Sequence, residues 1–157
     1  MAIATPFKPL LNANLNHPLW EELTDYYLAT EFEDGGRGPS TFDCWGMGRD
    51  IQIKTGIPEN IVPSFGAVGA QDKQQMTTLY RQVSKAFDVV PPKPLAIACG
   101  FVGQLLWHIG TVVPDGSELV VLHTSTSFGP HKSPLHVFER QFLRVEYRYA
   151  ANRILQQ

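Results

Sequence analysis

Three features of the chain predict an α+β domain in which N-terminal helices pack on an antiparallel β-sheet. Amphipathic segments with helical spacing fill the first half, the breaker Val89-Val90-Pro91-Pro92-Lys93-Pro94 interrupts them, and short apolar runs bounded by turn residues follow. The length of 157 residues suits one domain. Its core would bury roughly 68–70% of the surface that the unfolded chain exposes. Residues 17–157 are read as that domain, and residues 1–16 as an N-terminal arm ordered by a partner.

From His17 onward, Leu19, Trp20, Leu23, Tyr26 and Tyr27 share a helical stripe, with Glu21 and Glu22 early in the helix where its dipole favours negative charge. The acidic, glycine-rich stretch from Glu31 to Ser40 ends that helix. A second helix is expected from Phe42 to Lys54, capped by Ser40 or Thr41 and stopped near Gly56 and Pro58. Residues 57–70 read as loop. A third helix is expected over 71–87, where Met76, Leu79, Tyr80, Val83 and Phe87 recur three or four apart. Beyond the proline breaker, strands are expected at Leu95–Val102, Leu105–Val113, Glu118–His123 and Arg144–Ala150. Pro114-Asp115-Gly116-Ser117 supplies a hairpin turn, which puts His108 and His123 on paired antiparallel strands.

Composition excludes several classes of function. The formal net charge of −2 offers no broad basic surface, so a nucleic-acid partner is not expected. No run approaches the ~20 apolar residues of a membrane helix, and no membrane span is expected. The first 18 residues lack the apolar stretch, about 7–15 residues long, of a signal peptide. Cys44 and Cys99 sit in different contexts and are read as thiols rather than as a disulfide. No cofactor or metal is expected. A zinc site from Cys44, Cys99, His108 and His123 has suitable ligand types, but its spacing matches no close-paired zinc motif.

Cys44 carries the most information. It follows the loop Gly35-Gly36-Arg37-Gly38-Pro39 and falls in the first turn of the second helix, where unpaired N–H groups favour a thiolate. Such a position, with a cationic or histidine partner, can lower a cysteine from about 8.5 toward roughly 3.5–7.5. A depressed thiol pKa is therefore expected. A nucleophilic cysteine needs a base and a group that orients it, distant in sequence and adjacent in the fold. His108 and His123 qualify, because each interrupts an otherwise apolar strand. Their strand faces stay open in the sequence, since a bulge would shift the parity. The glycine loop lacks the lysine and Ser/Thr of a phosphate loop and reads as a turn lining a cleft, where Arg37 is either a solvated loop arginine or a partner for a substrate carboxylate. Cys99 lies in an apolar strand and is read as structural; His131, His136, Arg140, Arg144 and Arg148 read as surface or interface groups.

The order Gly-Gly-Arg-Gly-Pro-Ser-Thr-Phe-Asp-Cys-Trp-Gly (35–46), His-Ile-Gly (108–110) and Leu-His-Thr-Ser (122–125) resembles the NlpC-type cell-wall peptidases, a branch of the papain-like cysteine hydrolases, in their bacteriophage tail-associated versions. The resemblance runs from about Leu23 to Tyr149. It implies Cys44 as nucleophile, His108 as general base and His123 as the group that orients it. It also implies an oxyanion site at the backbone N–H groups of Asp43 and Cys44, and a cleft flanked by Phe32, Trp45 and Arg37. The implied substrate is the stem peptide of peptidoglycan, and the implied partners are other phage tail or tail-tip proteins. The implied location is the virion tail, or the host cytoplasm during assembly. Phe32 stands where many members carry a tyrosine that helps bind the oxyanion, Trp45 replaces the usual small residue, and Ala98-Cys99-Gly100-Phe101 replaces the usual Gly-Asp turn. The rival expectation is a tail-tip assembly or structural protein of the same fold with little or no hydrolysis. Acyl transfer through the same thiol is a third, and no lipid-binding signature accompanies it.

Overall fold

The structure, a computed structural model, describes residues 4–66, 69 and 71–150. Residues 1–3 of the expected arm, 67, 68 and 70 of the expected loop, and 151–157 at the end of the expected domain lie outside the described residues.

Helix α1 (Leu19–Leu28) buries Trp20, Leu23 and Tyr27 of the expected stripe, while Leu19 is partly buried and Tyr26 is exposed. Strands β1 (Glu31–Phe32) and β2 (Thr41–Phe42) form a two-residue parallel pair that frames the glycine loop. Helix α2 (Cys44–Lys54) follows directly, and α3 (Lys73–Val83) comes after the long loop. Strands β3 (Asp88–Val90), β4 (Ile97–Val102), β5 (Leu105–Asp115), β6 (Glu118–Ser125) and β7 (Gly129–Pro134) lead to α4 (Leu135–Arg140) and β8 (Arg144–Tyr149). The larger sheet has the order β3-β8-β4-β5-β6-β7, and every pairing in it is antiparallel. The molecule is thus mixed α+β, with a six-stranded antiparallel sheet and four α-helices among the described residues.

Strands β4 to β7 form a meander. Helix α4 then reverses the chain and returns it to the far side of β4, where β8 fills the position between β4 and β3. The β5–β6 hairpin turns on Gly116, whose φ of 65° suits a two-residue turn between the paired residues Asp115 and Glu118. Helix α2 lies against β5 and β6, and α3 lies against β5. Gln52 of α2 donates from Nε2 to the Leu95 carbonyl at 2.9 Å, fastening the buried helix to the strand region.

Three expectations change. The segment read as an arm packs on the domain: Lys8–Asn12 forms a 3₁₀ helix, Leu10 is 2% exposed, and Phe7 N–H donates to the Lys54 carbonyl at 3.0 Å. Its apolar residues find burial within this chain, so no partner is needed to order them. The third helix ends at Val83 and passes into a 3₁₀ turn at Ser84–Ala86, after which Phe87 is extended. Strands β3 and β7 went unpredicted because Gly129-Pro130-His131-Lys132-Ser133-Pro134 and a triplet before two prolines carry little strand propensity. Both are edge strands, and at the β7 edge Pro130 and Pro134 can lack an N–H without losing a ladder bond.

Candidate active site

Cys44 is the first residue of α2, and the cap is Asp43 rather than Ser40 or Thr41. Asp43 Oδ1 accepts from the Gly46 N–H at 2.7 Å, and Oδ2 accepts from the Gly35 N–H at 3.0 Å. The Arg37 guanidinium donates to Asp43 Oδ1 at 2.8 Å and to the Ser64 carbonyl at 2.7 Å. Asp43 is fully buried, so this ion pair and cap fix the turn that aims Cys44. The loop approaches α2 so closely that a Cβ on Gly46 would collide with the Gly36 carbonyl oxygen.

His108 and His123 meet, as the hairpin reading allows. His108 Nε2 lies 2.7 Å from His123 Nδ1, and His123 Nε2 lies 2.8 Å from Ser133 Oγ. A register shift between Gly100 and Phe101 makes Trp107 the extra residue on β5, and this bulge sets the side on which His108 emerges. Gly110 makes room across the hairpin, because a Cβ there would overlap Val121 Cγ1 and stand 3.0 Å from His123 Cβ. Phe142 stacks on the His108 ring at 6.2 Å and 19°, and Phe138 of α4 meets the His123 ring edge-on at 5.3 Å. The imidazoles therefore sit between a hydrogen-bonded serine and two phenylalanines.

Cys44, His108 and His123 line one open groove of about 350 Å³, together with Phe32, Lys73, Trp107 and the loop from Ser125 to Phe128. Its size lies within the range of small-ligand sites. Trp45 and Arg37 are placed elsewhere. They line a separate, smaller cavity of about 30 Å³ with Phe65, Met76 and Tyr80, and Trp45 Nε1 donates to the Pro63 carbonyl at 3.0 Å. Both support the fold behind the thiol instead of flanking the groove. The backbone N–H of Asp43 donates to the Gly36 carbonyl at 3.2 Å, which removes it as an oxyanion donor. Of the two expected backbone donors, the N–H of Cys44 remains without an acceptor among the described residues.

The thiol is not depressed. Cys44 is 3% exposed, and burial pushes its pKa up to about 12, with the Asp43 carboxylate adding to the rise. The Lys73 ammonium and the backbone N–H groups of Ile109 and Trp45 pull the other way without overcoming it. Burial pushes His108 down to about 3, helped by Lys73 and His131. Burial likewise pushes His123 down to about 2, helped by His108 and His131. Lys73 and the N–H groups of Ile109 and Trp45 favour a thiolate, but desolvation outweighs them, and neither histidine contributes to the pull. The resting site is a neutral thiol beside neutral imidazoles, and no hydrogen bond joins Cys44 Sγ to either ring among the described residues.

Ser133, His131 and Lys73 escaped sequence reasoning. His131 faces His123 with ring centroids 4.0 Å apart, and its Nδ1 lies 2.8 Å from the Gly129 carbonyl, which can only accept. Nδ1 of His131 therefore carries the proton. The spacing of His131 and Ser133 puts both on one face of a strand, and that alternation was the one available signal. Cys99 is buried on β4, lines a different cavity from Cys44, and is a free thiol. No group of three or more His, Cys, Asp or Glu residues is arranged to hold a metal ion among the described residues. No helix among them is long and apolar enough to cross a membrane.

The class defined so far is an α+β domain carrying a cysteine and a hydrogen-bonded histidine pair in one groove. No family model, no curated protein and no solved structure matches the chain.

Proposed function

We propose that this protein is a papain-like, NlpC-type cysteine peptidase, tail-associated in a bacteriophage, that hydrolyses stem peptides of peptidoglycan through Cys44, His108 and His123. One observation carries the reading: a thiol at a helix start opens into the same groove as an imidazole whose far nitrogen is held by a second imidazole. That is the relation a nucleophile, its base and an orienting group require.

The proton inventory follows from the bonds. For His108 to accept a proton at Nδ1, its Nε2–H must donate to His123 Nδ1, and His123 Nε2–H must then donate to Ser133 Oγ. Sγ of Cys44 attacks the amide carbon as its proton passes to His108 Nδ1, and the carbonyl oxygen takes the negative charge. The Cys44 N–H and the first turn of α2 receive that charge. Collapse breaks the C–N bond, and the proton on His108 leaves with the amine. Water then attacks the thioester with His108 as base and restores the thiol. Because the resting groups are neutral, proton transfer accompanies attack instead of preceding it. Phe32 lines the groove without a hydroxyl, so the reaction runs with one oxyanion donor fewer than many relatives of the resembled family, a loss of about 10²–10³ in rate by analogy with other hydrolases.

The test is release of new amino groups from purified peptidoglycan by the parent protein and by Cys44→Ala. Release by the parent alone is expected, and equal silence from both refutes hydrolysis. A second reading, a tail-tip structural protein, is favoured by the nearly complete burial and raised pKa of Cys44. Under it, Cys44→Ala leaves the assembled tail intact and functional.

A further inference from the structure

Lys73 opens α3 and lines the groove that holds Cys44 and the histidines. It is the only lysine, arginine or carboxylate among the described residues of that lining. Its Nζ donates to the Trp107 carbonyl at 2.6 Å and lies 5.2 Å from the centre of the Trp107 ring. One of three ammonium protons is used, so two stay available to a ligand. No carboxylate lies within ion-pair distance of this ammonium among the described residues, although six other cation–carboxylate pairs form across the molecule.

A lysine normally loses side-chain freedom when it binds an anion, and that loss weakens the contact. Here the Trp107 carbonyl and indole already hold the side chain. A pinned, half-buried ammonium with spare donors is a preorganised anion receptor. Its field reaches the reacting groups as well: Lys73 opposes the burial-driven rise at Cys44 and adds to the burial-driven fall at His108. The rest of the polar lining holds no carboxylate: it has the hydroxyls of Thr124, Ser125, Thr126 and Ser127, the amides of Gln71 and Gln141, and the three imidazoles. Nothing in it repels a negative ligand.

We infer that Lys73 is the specificity-determining residue of the groove, binding a carboxylate that the peptide substrate carries close to the bond presented to Cys44. This rests on the peptidase reading for the identity of the peptide, but not for the existence of the subsite. A carboxylate there would take both free ammonium protons. Amidating it would leave a neutral group facing an unpaired cation.

Calorimetric binding to Cys44→Ala protein tests this without turnover. The probes are a stem tetrapeptide with free carboxylates and the same peptide fully amidated. Amidation is expected to weaken binding roughly tenfold, as expected for losing one hydrogen bond to a charged group. Adding Lys73→Met should erase that difference, and adding Lys73→Arg should restore part of it. A thermal melt of each variant checks the fold. The inference is overturned if neither peptide binds, if amidation makes no difference, or if the preference survives Lys73→Met. Hydrolysis by the parent without any carboxylate preference would sink the subsite alone. Preference without hydrolysis would sink the peptidase reading and leave the subsite standing.

Discussion

Alkylation of Cys44 as a function of pH separates the two opposing forces on the thiol. With its pKa at about 12, roughly 10⁻⁵ of the Cys44 population is thiolate at pH 7, against about 3% for an ordinary cysteine near 8.5. The thiolate is the reactive species, so labelling by iodoacetamide should run roughly 10³-fold slower in the folded protein than in the unfolded chain. The rate should climb about tenfold per pH unit from about pH 7 to 10 with no plateau. Peptide mapping resolves Cys44 from Cys99, which is equally buried and also pushed up to about 12, chiefly by burial, and so acts as an internal comparator. Lys73→Met should slow Cys44 further, because the ammonium opposes the rise. A labelling rate at Cys44 that levels off below about pH 7 would refute the reasoning, since it would show the helix start and imidazole prevailing over desolvation.

Replacing Asp43 by Ala removes the α2 cap and the carboxylate facing the Arg37 guanidinium, which keeps its bonds to the Ser64 and Gly36 carbonyls, so stability should fall by about 1–3 kcal/mol in urea titrations; a loss under about 0.5 would contradict the role given to the cap and pair. Gly110→Ala should cost about 1–3 kcal/mol by overpacking against Val121 and His123 and should break the hydrogen-bonded imidazole signal in proton NMR, while an unchanged spectrum would mean the hairpin has room to spare. Acid should destabilise the fold through the two imidazoles. Their folded pKa values lie below the unfolded value near 6.5, so the unfolded chain binds more protons. Stability is therefore complete above about 6.5 and declines toward about 3 for His108 and about 2 for His123, by up to about 1.4 kcal/mol per pH unit for each. His108→Asn and His123→Asn should flatten that slope, and an unchanged slope in both would remove the histidines as its source.

The α+β class, three helices, four strands and the hairpin turn at Gly116 were legible because periodicity and turn chemistry are local properties of the chain. The meeting of His108 with His123 was legible too, since hairpin pairing follows from a short turn. Placement on one face was not, because the bulge at Trp107 arises from the fit of β4 to β5. Edge strands β3 and β7 were invisible for want of propensity, and Ser133 and His131 went with them. Arg37 and Trp45 were assigned to the cleft from the glycine-loop reading and the family resemblance, yet both line the other cavity, and Trp45, next to Cys44 on the helix, faces a different direction from it.

By itself, the sequence determined where a thiol would open a helix: a glycine loop and a helix start are set by neighbouring residues, although the cap proved to be Asp43 instead of Ser40 or Thr41. Only the tertiary structure decided the charge state of that thiol. Burial depends on what the distant strands and α3 bring over Cys44, and the desolvation they impose exceeds the pull of the helix and of Lys73. The ammonium that shares the groove arrives from a residue 29 positions away, and no local pattern announces it.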